Sequence, residues 1–308
     1  MKILITGATG FIGKNLAERV IREGHDLTCG GRSFGKIGRL LDKAKTAYVE
    51  LENKKTITEA LEREKPDMVY HSAALIESGS RDKLFRVNRD GTRNVLSACC
   101  NTGVKKVVYL STIAVVSGNP EVLLTEDLPY SAKTAYGESK IEAEKIALEY
   151  RKKGMKIAII RPCMVYGENE PHGLERLINA IKKRRVPVFG KGDKKLQLVS
   201  VENLADILIL CLTKEEAYDG IYYAADKEAL TIKELFEYIA GIIGAKVPLR
   251  VPESIARILS VIPFVKKYMD FFLKDRLYSI DRLRDKLGYV PRVSVYDGLK
   301  RAILSYVT

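Results

Sequence analysis

The chain has 308 residues, 46% hydrophobic and 30% charged with both signs mixed, which suits one large α/β domain or a domain and a half with a well-buried core and disfavours disorder. Its net charge of +13 gathers in runs such as Lys182-Lys183-Arg184-Arg185 and Lys191 to Lys195; these read first as a solvated face, then as attraction to an anionic ligand or membrane surface, with nucleic acid disfavoured because no aromatics interleave for base stacking. Five cysteines without C-x-x-C spacing argue against disulfide or zinc frameworks, no uncharged apolar run reaches the roughly 18 residues of a spanning helix, and Met1-Lys2 leads straight into Ile3-Leu4-Ile5, so a cytoplasmic location is expected.

Strand-like and helix-like segments alternate over the first two-thirds. Strands are expected at Lys2–Thr6, Asp26–Cys29, Ala47–Leu51, Met68–Ser72, Lys106–Ser111 and Lys156–Arg161. Helices are expected at Phe11–Glu23, Thr56–Arg63, Leu84–Asn101 and Tyr136–Lys152. This alternation predicts an α/β fold: a Rossmann-type doubly wound parallel sheet with helices on both faces. Further on, a helix is expected over Leu174–Lys183, a strand at Leu196–Val201, a helix to Leu212 and a last sheet strand at Gly220–Ala225. Thr231 caps a helix over Ile232–Ile243, and Gly288 closes one over Asp281–Leu287. The division expected is 1–166 plus 197–225 for the sheet domain, with 167–196 plus 226–308 as a smaller C-terminal substrate lobe.

Between the first strand and helix stands Thr6-Gly7-Ala8-Thr9-Gly10-Phe11-Ile12-Gly13. Its glycines permit a tight turn and close backbone approach, and the helix N-terminus points free N–H groups at a pyrophosphate. The second strand ends in Cys29-Gly30-Gly31-Arg32-Ser33, without the acidic residue that holds the ribose 2′-OH of NAD. Arg32 offers a planar donor fork to a 2′-phosphate, with Ser33 and Lys36 able to assist, so NADP is preferred over NAD.

Far downstream, Tyr136 and Lys140 in Tyr136-Gly137-Glu138-Ser139-Lys140 share one helix face. A phenol titrates near ~10, and a cation ~4 Å away is worth up to ~4 kcal/mol at an effective dielectric of ~20, enough to lower that value by roughly three units. Tyr136 is then expected to serve as general base or acid for an alcohol or carbonyl. Ser111-Thr112 ends the fifth strand, where a hydroxyl can meet the same substrate oxygen, and Arg161-Pro162-Cys163-Met164-Val165-Tyr166-Gly167 follows the sixth. His71 reads as structural, and His25 and His172 as loop residues.

Taken with His71-Ser72-Ala73-Ala74 and Asn88 beside Gly91-Thr92, these motifs resemble an extended short-chain dehydrogenase/reductase, the NAD(P)-dependent epimerase/dehydratase superfamily, over essentially the whole chain. The resemblance implies a catalytic Thr112, Tyr136 and Lys140, with Lys140 also on the nicotinamide ribose. It implies a cofactor shell of Gly7, Thr9, Gly10, Phe11, Ile12, Gly13, Arg32, Glu50, Leu51, Ala73, Ala74, Asn88, Pro162 and Val165, with Glu50 at the adenine. The family commonly shows S-[ST]-x-x-V-Y-G where this chain reads Ser111 to Gly118; counting from the serine assigns Thr112, counting back from Gly118 lands on Ile113.

Nucleotide-sugar members hold a diphosphate with arginines; Leu196 stands at the first arginine position and Phe271-Phe272-Leu273 near the second, which disfavours such a substrate. Val201-Glu202-Asn203-Leu204-Ala205 and the tail through Gly288-Tyr289-Val290-Pro291 resemble the 3β-hydroxysteroid dehydrogenase and dihydroflavonol-reductase-like branch, which implies a secondary alcohol or ketone on an apolar small molecule. Phe264, Tyr268, Phe271 and Phe272 in Ile255–Leu273 are candidates to line its pocket, or to meet a membrane surface with Lys266, Lys267 and Lys274. The functional expectation is hydride transfer between NAD(P) and that substrate. The alternatives are a nucleotide-sugar 4-epimerase or dehydratase with tightly bound cofactor, and a non-catalytic NADP-binding sensor. The resemblance also implies a homodimer through Leu84–Asn101 and Tyr136–Lys152. No metal is expected.

Overall fold

The computed structural model describes residues 1–35, 38–171, 173–259, 269 and 272–307. Lys36, His172 and 260–268, 270 and 271 lie outside them, and with them the expectations for Phe264, Lys266, Lys267, Tyr268 and Phe271.

Seven parallel strands form the central sheet. They are β1 (Lys2–Thr6), β2 (Asp26–Gly31), β3 (Lys45–Tyr48), β4 (Met68–His71), β5 (Lys106–Leu110), β6 (Lys156–Pro162) and, after two strands of a smaller sheet, β9 (Ile221–Ala224). Their spatial order is β9-β6-β5-β4-β1-β2-β3. Successive residues of each strand supply opposite faces, as the pleat requires. Ile3, Ile5, Tyr70, Val108 and Ile160 enter one core with Leu16 and Val20 of helix α1 (Phe11–Arg22). Leu4, Val69, Val107, Tyr109 and Ile159 enter the other with Ile57 and Leu61 of α2 (Lys54–Glu64). That second core also takes Val95 and Leu96 from α3, in which Arg81–Phe85, a wide turn Arg86–Asp90 and Gly91–Asn101 run on as one helix. Ile146 and Ala147 of α4 (Ala135–Lys152) complete it. Two apolar layers around a parallel sheet are the doubly wound architecture that the alternation predicted.

Boundaries moved where a cap decides them. Asn53 accepts from the Lys55 amide at 3.1 Å and starts α2 two residues before the expected Thr56. Ser80 accepts from the Lys83 amide and starts α3 at Arg81. The third strand ends at Tyr48, earlier than expected, because Glu50 accepts the Asn53 amide in a turn.

The strand expected at Leu196–Val201, β8 (Lys195–Ser200), lies outside the main sheet. It pairs in parallel with β7 (Met164–Tyr166) and antiparallel with β10 (Ala229–Thr231). A third core forms there from α5 (Leu174–Lys182), α7 (Ile232–Ile242) and a helix Val295–Leu304 that the sequence reading did not anticipate, while α6 (Val201–Thr213) packs into the first core. Ser294 caps that last helix by accepting the Asp297 amide. Thr231 and Glu234 form a reciprocal capping box on α7. Phe272 packs edge-on against Phe236 in this core, with ring centroids 5.5 Å apart. Among the described residues no helix is long and apolar enough to cross a membrane, and all five cysteines are free.

Candidate active site

The strand order reverses between β1 and β4, and a crevice opens at their carboxyl ends. Gly7 holds φ +75°, and a Cβ on it would sit 2.7 Å from the backbone of Ala73. A Cβ on Gly13 would sit 2.1 Å from the Gly7 carbonyl oxygen. Only hydrogen fits at either position, so the loop closes against both α1 and the β4 end. Gly10 gives α1 no side-chain cap and the first turn holds no acid, which leaves its N-terminal amides directed outward. This cradle fits the diphosphate of a dinucleotide.

Gly7, Thr9, Gly10, Arg32, Glu50, Leu51, Ala73 and Ala74 line one cleft, together with Gly31, Val49, Glu52 and Lys83. The other expected cofactor residues lie around it. The Phe11 ring reaches toward Gly167, and Ile12 packs on the first core. Pro162 pairs with Ala224 at the end of β6, and Val165 with Val199. Asn88 sits beneath the cleft, 2% exposed. Its amide accepts from Leu75 N and donates to Leu75 O, both at 2.8 Å, and donates to Ser139 Oγ at 3.0 Å. Asn88 therefore ties the loop after β4 to the helix carrying Tyr136.

His71 is buried and fully partnered. Thr92 donates to the Asn88 carbonyl, so its oxygen accepts from His71 Nε2 at 3.0 Å; Thr6 then donates to Nδ1 at 2.8 Å. Burial, aided by the charge of Lys140, pushes the imidazole down to about 3. The ring is a neutral strut between β1, β4 and α3. Below its unfolded value of ~6.5 the unfolded chain binds a proton that the folded chain refuses, so stability falls as pH drops from about 6.5 toward 3, at up to ~1.4 kcal/mol per unit. Urea midpoints measured at pH 6.5 and 4.5 should converge for His71→Asn relative to the parent; parallel pH dependence in the two proteins would remove His71 as the cause.

The catalytic candidates come together. Thr112 ends the β5 turn with its hydroxyl accepting from the Ala114 amide at 3.2 Å, and it stands close enough to the Tyr136 phenol to favour its ionised form. Ile113 offers no such group, so of the two countings the one that assigns Thr112 brings a hydroxyl to the phenol. Lys140, 2% exposed, donates to Leu110 O at 2.8 Å and stands 4.3 Å over the Tyr109 ring. The expected lowering of the phenol does not occur in the chain alone. Burial pushes Tyr136 up to about 12 against the Thr112 hydroxyl, while burial pulls Lys140 down to about 7 against the charge of Glu144. Desolvation is the largest contribution at both groups, and the Lys140 ammonium is committed to the Leu110 carbonyl.

Glu144, one helical turn beyond Lys140, was missed by the sequence reading, although residues 136, 140 and 144 share the i, i+4 spacing. It is fully buried and bonds Arg161 in a fork, with Nε at 2.9 Å and Nη2 at 2.7 Å. The Tyr130 hydroxyl donates to it at 2.9 Å, and Ser111 donates to its other oxygen. This ion pair locks the ends of β5 and β6 to the catalytic helix.

A second cleft, lined by Asn119, Glu121, Lys133, Lys194, Lys274, Asp275 and Arg276, opens beside the loop after β5, with Lys194 paired to Asp275. Leu196, the family's first arginine position, is 4% exposed in the third core.

Residues 3–224 match the NAD dependent epimerase/dehydratase family. The chain belongs to that family. Its expected place among NAD-dependent oxidoreductases is met at that level. The 2-alkyl-3-oxoalkanoate reductase of Shewanella oneidensis is 26% identical over 96% of this chain and 84% of its own length. The 3-beta-hydroxysteroid dehydrogenase of Mycolicibacterium neoaurum is 28% identical over 80% of this chain and 71% of its own. The same fold occurs in UDP-glucuronic acid 4-epimerase from Bacillus cereus in complex with NAD, with a TM-score of 0.82, 21% identity, and coverage of 100% of this chain and 99% of that one.

Proposed function

We propose that this family member reduces a ketone on an apolar ring or lipid-like substrate, with NADPH preferred over NADH. The observation that carries the reading is the placement of Tyr136 beside Thr112 at the carboxyl edge of the sheet, with Lys140 one helical turn on. Burial of part of its surface pushes the half-buried Tyr136 phenol up to about 12, so it keeps its proton at neutral pH, the state that donates to a carbonyl oxygen. Thr112 orients the same oxygen through its hydroxyl. Lys140 donates to the end of β5 and is the residue that would hold the nicotinamide ribose once the dinucleotide is bound. The bound dinucleotide supplies the hydride. Two relatives named for reduction or dehydrogenation of oxo and hydroxysteroid compounds support this class of substrate. The reading includes the cofactor shell and the two-part division of the chain described above, with a cytoplasmic location. It also includes a homodimer through the outer faces of α3 and α4, which pack side by side. Incubation with NADPH and 2-alkyl-3-oxoalkanoates or 3-ketosteroids should consume reduced nicotinamide; a protein inert toward both classes would refute the reading.

Arg32 supports the NADP preference. It lines the cleft at the tip of β2, and no carboxylate stands at that strand end. A charge-assisted contact to the 2′-phosphate is worth about 1.5–3 kcal/mol, so Arg32→Ala should weaken NADPH about 10- to 100-fold and leave NADH nearly unchanged. Calorimetric titration of both cofactors checks this; tighter NADH binding by the parent protein would reverse the assignment.

A second reading rests on the basic cleft. Lys133, Lys194, Lys274 and Arg276 there outnumber Glu121 and Asp275, which keeps an anionic substrate and hence a nucleotide-sugar epimerase or dehydratase as the second reading, although Lys194 is already paired with Asp275 and Leu196 is buried. Turnover of a nucleotide sugar with no net change in nicotinamide absorbance would favour it. A non-catalytic NADP-binding sensor is the least supported reading, since Thr112, Tyr136 and Lys140 are all present and assembled.

A further inference from the structure

The C-terminal lobe carries a surface that the reductase reading does not use. The run Lys182-Lys183-Arg184-Arg185 starts on the last residue of α5, and all four residues are exposed. The chain then pairs Val188–Phe189 in parallel with Arg250–Val251, through Val188 N to Leu249 O and Gly190 N to Val251 O, both at 2.9 Å. That pairing brings exposed Lys246 and Arg250 alongside the basic run. Among the described residues none of these six cations has an acidic partner. Residues 182–190 and 246–259 contain a single acid, Glu253.

Aliphatic side chains stand among these charges. Leu249 is 81% exposed and Val247 54%, and on the adjoining helix Glu253–Leu259 Ile258 is 72% and Ile255 46% exposed. Ile255 and Ile258 are three apart and so lie on one helix face. Folding normally buries such side chains, and exposed aliphatics on segments that carry cations without an acidic partner among the described residues mark an interaction surface.

We propose that this face docks on an anionic phospholipid surface, with the cations against phosphate headgroups and Leu249 and Ile258 reaching the acyl boundary. Charge chooses the occupant. A second copy meeting this face through a twofold axis would set cations against cations on a chain already at +13. Nucleic acid would use the charge but not the aliphatics, and the one aromatic in the two segments, Phe189, is buried. The proposal is independent of the substrate and of the cofactor preference.

Flotation of the full chain tests it, using vesicles of phosphatidylcholine alone and of phosphatidylcholine mixed with phosphatidylglycerol. Retention by the mixed vesicles only is expected. Lys182→Gln, Lys183→Gln and Arg185→Gln together should weaken it about 100-fold. Leu249→Ser with Ile258→Ser should weaken it about tenfold. NADPH titration of each variant, expected to match the parent, shows that the fold is intact. The proposal is overturned by failure to float with mixed vesicles at low salt, by equal retention on neutral vesicles, or by retention unchanged in both variants. It is equally overturned by tighter binding to duplex DNA than to mixed vesicles, or by variants whose only change is loss of a dimer in sedimentation.

Discussion

Tyr136→Phe is expected to lower kcat about 100- to 10,000-fold while NADPH binding stays near the parent value. The substitution removes one oxygen and leaves the ring, so packing in the half-buried site changes little. What is lost is the proton that neutralises the developing charge on the substrate oxygen, and the neighbour of the Thr112 hydroxyl. Thr112→Val should reproduce part of the loss, because the hydroxyl that orients the oxygen disappears while volume is kept. The pH profile adds a second reading. With the phenol at about 12, the donor stays protonated through the neutral range, so reduction should not decline on the alkaline side of neutrality through Tyr136 in the free enzyme. Single-turnover measurements with saturating NADPH separate chemistry from binding. A variant retaining more than about a tenth of parent kcat would remove Tyr136 from the chemistry.

Glu144→Leu is expected to destabilise the fold by about 3–5 kcal/mol, the cost of leaving a buried guanidinium without its counter-ion. Arg161 is 2% exposed, and its Nη1 already lacks a hydrogen-bond partner among the described residues, so it has no second acceptor to turn to. Ser111 and Tyr130 lose an acceptor as well. The double variant Glu144→Leu/Arg161→Met should recover most of the loss, since an apolar pair of similar volume replaces the ion pair without stranding a charge. Urea denaturation of the four proteins closes the cycle; a single variant losing less than about 1 kcal/mol would show that the pair is not a structural lock.

Lys140 responds in the same experiment. Glu144 raises its value against burial, so without the carboxylate the ammonium falls below about 7. Its unfolded value is ~10.4, so between about 7 and 10 the unfolded chain binds the proton that the folded chain has released. Stability therefore rises with pH across that window, and the penalty is fully present below it.

Much of this could be read along the chain. The alternation of strand and helix predicted the doubly wound sheet, and the glycines at 7 and 13 predicted a cradle because no side chain fits there. Tyr136 and Lys140 follow from helical spacing, and Thr112 from a hydroxyl at a strand end. Cap positions at Asn53, Ser80 and Ser294 were weaker signals, since a small polar residue before a helix resembles any other loop residue until its oxygen meets an amide. The strand Lys195–Ser200 reads locally like any other, and only its partners exclude it from the main sheet.

Periodicity and residue type thus determined the layers, the glycine loop and the candidate acid, because these depend on neighbours within a few positions. Tertiary contacts decided the protonation states. Burial, not the nearby ammonium, sets the phenol, since Lys140 is held by Leu110 and Glu144 is committed to Arg161, seventeen residues away. They also brought Lys182–Arg185 beside Leu249, where the exposure of an aliphatic side chain among cations depends on the water around both segments and not on either one alone.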